Sequence, residues 1–140
     1  MKIDPEEYPF PYPWAVTIVL VFVLFITTWN GIRAWTAVTD WELLSRFRAN
    51  PIYTFTTGIT WLVLGIGLGV TLLRGSRIAP ACGLFLSLLY VLWYWVDRLA
   101  IQASPTTNIP FSIIGSTVGL LIFNIILFWP SSQAFFKETQ

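Results

Sequence analysis

The chain has 140 residues, 56% of them hydrophobic and 11% charged, with a formal net charge of +1. A soluble domain carries roughly 25% charged residues, and one this small could not bury so much apolar surface. The absence of histidine excludes His-ligated haem, the common zinc sites and His general-base chemistry, and without a basic stripe no nucleic-acid partner is expected.

Residues 1–13 alternate proline with aromatics, from Pro5 and Tyr8 to Tyr12 and Pro13. Proline favours extended backbone, and amphipathic rings suit the headgroup layer. Lys2 is followed by Asp4, Glu6 and Glu7, and the next apolar run is longer than a signal-peptide core, so it reads as an uncleaved first span.

Four apolar runs follow, Trp14–Gly31, Tyr53–Leu73, Ile78–Val96 and Phe111–Trp129, and none contains an acidic or basic residue. A helix rises about 1.5 Å per residue, so about 20 residues cross the ~30 Å hydrocarbon layer. Pro13, Pro51, Pro80 and Pro110 stand near the four starts, where proline loses no intrahelical hydrogen bond. The expected architecture is all-α: a polytopic transmembrane four-helix bundle forming one integral membrane domain over 1–140. Its spans run approximately over 14–37, 53–73, 78–101 and 109–129.

Between spans one and two, Thr39 and Glu42 have the spacing of a capping box, and Trp41, Leu44 and Phe47 share one face. This predicts a short interfacial helix over 40–49, stopped by Asn50-Pro51. The second connection, Arg74-Gly75-Ser76-Arg77, is a tight basic turn. The third, from Gln102 to Asn108, is polar and uncharged.

The end of the bundle with both termini and the Arg74–Arg77 turn is termed side A, and the opposite end side B. Lys2, Arg74, Arg77 and Lys137 fall on side A; Arg33, Arg46, Arg48 and Arg98 fall on side B. Discounting Arg33 and Arg98 at span ends, and Arg46 paired with Glu42, puts side A inside. Both termini are therefore expected in the cytoplasm of a multi-pass cell-membrane protein. Trp29, Trp93 and Trp95 gather toward side B with Trp35, Trp41 and Trp61. An aromatic belt accounts for most of them, and the excess points to an aromatic recess or a lipid-contact face on side B. Arg33, Asp97 and Arg98 enter the same zone. A structural Arg33–Asp97 pair is the plainer reading and a ligand or ion contact the sharper one.

Small residues recur four apart at Gly65 and Gly69, at Ala79, Gly83 and Ser87, and at Gly115 and Gly119. Such faces let helices approach closely in lipid. Thr57, Thr60, Ser112, Ser116 and Thr117 can add interhelical hydrogen bonds, and Asn124 deep in span four suits one more. Cys82 reads as a small packing residue.

Trp29-Asn30-Gly31-Ile32-Arg33, Trp93-Tyr94-Trp95-Val96-Asp97-Arg98 and Phe135-Phe136-Lys137 resemble a family of small, uncharacterised four-span bacterial membrane proteins. The resemblance covers most of the chain and implies no activity. Span one lacks the membrane glutamate of four-span multidrug exporters. The chain also lacks the Cys-x-x-Cys of disulfide-forming quinone reductases and the extracellular cysteines of tetraspanins. A non-catalytic accessory, scaffold or lipid-interacting protein without cofactor is expected, its partners the bilayer, other membrane proteins or a second copy. A small transporter or channel is the alternative, and an enzyme on lipid substrates is the third class. In a Cys82→Ala background, cysteines placed at Ile3 and Glu138 are expected to react with an impermeant maleimide from the same side of the membrane. Labelling from opposite sides would remove the four-span topology.

Overall fold

The computed structural model describes residues 12–46, 49–101 and 108–138. Helix α1 spans Trp14–Thr39, α2 Trp41–Arg46, α3 Pro51–Leu73 and α4 Ala79–Val96, with a π-helical turn over Asp97–Ile101 continuing α4; α5 spans Ile109–Leu127 and α6 Pro130–Glu138. Four helices are long and apolar enough to cross a membrane: Trp14–Thr39, Pro51–Leu73, Ala79–Ile101 and Ile109–Leu127. The protein is an all-α polytopic bundle with a short helix between its first two spans.

Proline sets the starts. Pro13 occupies the N-cap of α1, and Pro51, Pro80 and Pro110 stand in the first turns of α3, α4 and α5. Asn50 completes the start of α3 by accepting from the Tyr53 amide at 3.2 Å. Gly75, at φ 61°, ends α3. Its amide donates to Leu72 O and the Ser76 amide to Thr71 O, each at 3.1 Å, the Schellman arrangement that a left-handed residue makes possible.

The Thr39/Glu42 capping box does not form. Thr39 is the last residue of α1, and its hydroxyl donates back to Trp35 O and Thr36 O at 3.3 and 3.4 Å. A helical threonine readily makes this local bond, so Thr39 has no oxygen aimed at α2. Asp40 takes the start of α2 instead, its carbonyl accepting from the Leu44 amide at 2.9 Å. Helix α2 is shorter than expected and has no buried residue; Phe47 lies outside the described residues.

The tight interface joins α1 to α3. The buried face of α1 carries Val16, Val19, Val23, Thr27, Asn30, Ala34 and Ala37, a stripe of three- and four-residue steps that keeps one side of a helix toward a neighbour. Opposite lie Gly58, Gly65 and Gly69. A Cβ on Gly58 would come 2.9 Å from Ala34 N and 3.0 Å from Asn30 O, one on Gly65 would collide with the Thr27 hydroxyl, and Gly69 faces Val23. Lipid provides no hydrophobic drive between helices, so such backbone contact is the main source of cohesion.

Helices α1 and α4 each pack on both α3 and α5, and so stand on a diagonal of the bundle. Gly83 of α4 receives Leu127 of α5, and Asn124 donates to Ser87 Oγ at 3.1 Å. Gly115 and Gly119, expected to pack, meet nothing within 4 Å because they face a cavity. Thr57 and Thr60 bond carbonyls of their own helix, whereas Ser116 accepts from Trp95 Nε1 at 3.3 Å. The side-A half holds a dry cluster of Val16, Val19, Val23, Leu68, Leu72, Ala79, Leu127 and Phe136. Phe136 comes from α6, which folds back beneath the spans; its buried Ser132 donates to Ile126 O at 2.9 Å.

Gly58→Ala is expected to destabilise the protein by about 1–3 kcal/mol, because the new methyl meets backbone atoms that cannot rotate away. Gly67→Ala, open on all sides, should be within about 0.5 kcal/mol of the parent. Unfolding in mild detergent, scored for both variants, measures the difference.

Candidate functional site

Between the four spans lies an open cavity of about 1070 Å³. Its geometry follows from unequal packing. Ring contacts join the first and last spans: near side A, Trp14 meets Trp129, just past the end of α5, at 6.0 Å, and further in, Phe22 of α1 meets Phe123 of α5 at 6.4 Å between centroids. Beyond Phe22, toward side B, residues of the cavity wall are also surface: Phe25 is 67% exposed, Trp29 58% and Phe111 of α5 79%. The cavity therefore opens sideways between α1 and α5. Its floor is the Phe22–Phe123 contact, above the dry cluster.

The wall is apolar along most of its length, and its polar groups collect toward side B. Asn30, fully buried in α1, donates to Ile26 O at 2.8 Å and to Tyr90 Oη of α4 at 3.3 Å. Its Oδ1 is buried and has no partner among the described residues. Tyr90 packs edge-on against Trp61 at 4.8 Å and at a tilt against Trp93 at 5.4 Å. Trp93 Nε1 donates to Tyr53 Oη at 3.2 Å. Aromatic edges on faces add to plain area burial, so this cluster makes a stiff wall of α3 and α4.

One turn beyond Asn30, Arg33 Nη2 donates to Asp97 Oδ1 at 3.3 Å. The pair crosses the diagonal between α1 and α4, as does Asn30–Tyr90. The guanidinium also lies over the Trp93 ring, 4.9 Å from its centroid, a favourable cation–π placement. Asp97 is 2% exposed. A carboxylate this buried is tolerable only with charge and hydrogen bonds around it. Arg98, next in the π-helical turn, donates to Tyr94 Oη at 3.0 Å.

The structure thus brings Arg33, Asp97, Trp29 and Trp93 to one cavity wall. Arg98 is held one step back on Tyr94, and Trp95 turns away to tie α4 to Ser116 of α5. Three members escaped sequence reasoning: Asn30, Tyr53 and Tyr90. Asn30 carried a usable signal, as an amide inside an otherwise apolar run and one turn from Arg33. The tyrosines had none, being ordinary residents of a membrane interface.

Comparison with protein-family models, with characterised proteins and with solved structures returns no match. The class stands on the architecture, a four-span helical membrane protein, and the bacterial resemblance rests on its short motifs alone. Among the described residues, no three His, Cys, Asp or Glu side chains come together as metal ligands would.

Arg33→Ala and Asp97→Ala are each expected to cost about 3 kcal/mol, because either removes the opposite charge from a group held largely out of water. The double variant should lose at least about 1 kcal/mol less than the sum. Thermal unfolding of the four proteins in one detergent closes the cycle, and strict additivity would mean that the two groups do not interact.

Proposed function

We propose that this chain is a lipid-binding membrane protein that holds one acyl chain of a lipid in the lateral cavity, with the lipid's polar end at Arg33 and Asp97. The observation that carries this reading is the match between cavity and leaflet. From Phe22 to Arg33 is eleven helical steps, about 16 Å at about 1.5 Å per residue. Half of a ~30 Å hydrocarbon layer is about 15 Å. The cavity starts at mid-membrane, runs to the interface, is apolar below and polar above, and opens to the bilayer between α1 and α5. Those properties suit an amphiphile entering sideways from one leaflet.

A role without chemistry fits the polar groups available. The Asp97 carboxylate is engaged by Arg33, and the other polar groups of the wall are chiefly hydroxyls, suited to orienting a ligand. A transporter is the second reading. It draws on the same observation, since a cavity closed at one end is what one state of alternating access looks like. That reading requires the dry side-A cluster to part, and it predicts movement of labelled lipid between leaflets of a proteoliposome.

Filling the cavity tests the proposal. Gly115 lines the wall and has open space around it, so Gly115→Phe should fold normally. Bound lipid measured by native mass spectrometry is expected to fall about tenfold, equivalent to about 1.4 kcal/mol. Gly67→Phe, which points away from the cavity, should leave it unchanged. Equal lipid retention in both variants would overturn the reading.

A further inference from the structure

The rim of the cavity also specifies the sign of the headgroup. This inference rests on the lipid-binding reading above and sharpens it.

Two helix N-termini, those of α3 and α5, and two C-termini, those of α1 and α4, meet at side B. Their macrodipoles oppose one another, so side chains decide the local field. Among the described residues, the charged side chains at the rim are the guanidiniums of Arg33 and Arg98 and the carboxylate of Asp97. Asp40, Glu42 and Arg46, between α1 and α3, are exposed, where salt screens them.

The two members of the ion pair are not equally available. Asp97 is 2% exposed, with its carboxylate held by Arg33. An ammonium headgroup would have to reach a buried group and compete with that guanidinium. Nor is the Trp93 face open to a quaternary amine, because the Arg33 guanidinium already covers it at 4.9 Å. Arg33 is the reverse case. It lines the cavity, its side chain is 23% exposed, and it makes one hydrogen bond, from Nη2 to Asp97 at 3.3 Å. A guanidinium has five N–H donors in a planar fork matched to phosphate. Stacking on Trp93 fixes the plane of that fork, so little further ordering is needed to receive an oxyanion.

We infer that the lipid held in this cavity is anionic, with its phosphate seated on the Arg33 guanidinium and its acyl chain lying toward Phe22 and Phe123. Phosphate oxygens accept charge-assisted hydrogen bonds, about twice as strong as neutral ones. A zwitterionic lipid offers the same phosphate but brings its ammonium up against the Arg33 guanidinium itself, a like charge.

The test uses the full chain in mild detergent with equimolar phosphatidylglycerol and phosphatidylcholine of identical acyl chains, read by native mass spectrometry. Phosphatidylglycerol adducts are expected to exceed phosphatidylcholine adducts about tenfold, and millimolar inorganic phosphate should not displace them. Arg33→Lys keeps the charge without the fork and should reduce the preference. Arg33→Gln with Asp97→Asn replaces the ion pair by a neutral hydrogen-bonded pair, keeps the diagonal contact, and should bring the two lipids to equal occupancy. Arg74→Gln, which removes one positive charge on side A, should retain the full preference. Equal binding of both lipids by the parent, or a preference that survives in the double variant, would overturn the inference while leaving lipid binding intact. Displacement by inorganic phosphate would overturn it in favour of a free-anion site. Lipid retention that is indifferent to Gly115→Phe would remove the lipid-binding reading itself, and this inference with it.

Discussion

The close approach of α1 and α3 is the constraint on which the rest of the bundle depends. In hydrocarbon, helices gain nothing by hiding apolar side chains from lipid tails, so cohesion comes from van der Waals contact and hydrogen bonds. Contact of that quality needs backbones to meet. Gly58 lets α3 reach the Asn30 and Ala34 backbone, and Gly65 admits the Thr27 side chain. Thr27 can sit there because its hydroxyl donates to Val23 O at 2.6 Å, so it adds no unsatisfied polar group. This hairpin is the rigid part of the protein, and α4 and α5 are placed relative to it.

The cavity follows from how differently those two helices are attached. Helix α5 has one buried residue, Leu127, at its side-A end. There it fits the Gly83 notch, and Asn124 bonds Ser87 less than one turn away. Toward side B it is held at points such as Trp95–Ser116, which fix position without filling space. Helix α4 is likewise braced to α1 across the diagonal by Asn30–Tyr90 and Arg33–Asp97. Polar bonds of this kind hold two helices at a set distance, whereas apolar packing would draw them together until the space closed. The same interactions that connect the bundle thus keep its side-B half open.

What could be read from the sequence divides along a physical line. Span positions were legible because they depend on local properties: charge-free length and a proline tolerated only in a first turn. The Arg33–Asp97 contact was geometrically foreseeable, since both residues lie at the side-B ends of their helices. Glycine roles were not. Gly65 and Gly115 sit in similar small-residue spacings, yet one meets Thr27 and the other opens on a cavity; only the neighbour's identity decides, and that is tertiary information. Gly58, outside any four-residue repeat, packs tightly against Ala34 and Asn30. The Thr39/Glu42 spacing misled because α1 runs on to Thr39, where the hydroxyl finds carbonyls of its own helix. Helix α6 was hidden in a short polar tail whose anchors, Ser132 and Phe136, gain meaning only from the floor they pack against.

The two ends of the molecule are physically unlike, and that asymmetry gives the membrane leaflets different roles. Side A is closed by the dry cluster, with Phe136 of α6 as its outer seal. Side B keeps its polar groups on a wall that lipid can reach. Helix rise carries Arg33 about 28 Å from Trp14, near the far interface, so the guanidinium lies at headgroup depth while its stem crosses the last apolar layer. With the termini in the cytoplasm, the cavity would face only the outer leaflet. An inverted orientation would expose the same wall to the inner one. Orientation and ligand are therefore one question under the proposed lipid-binding role: the leaflet that side B faces would determine which lipids could reach Arg33.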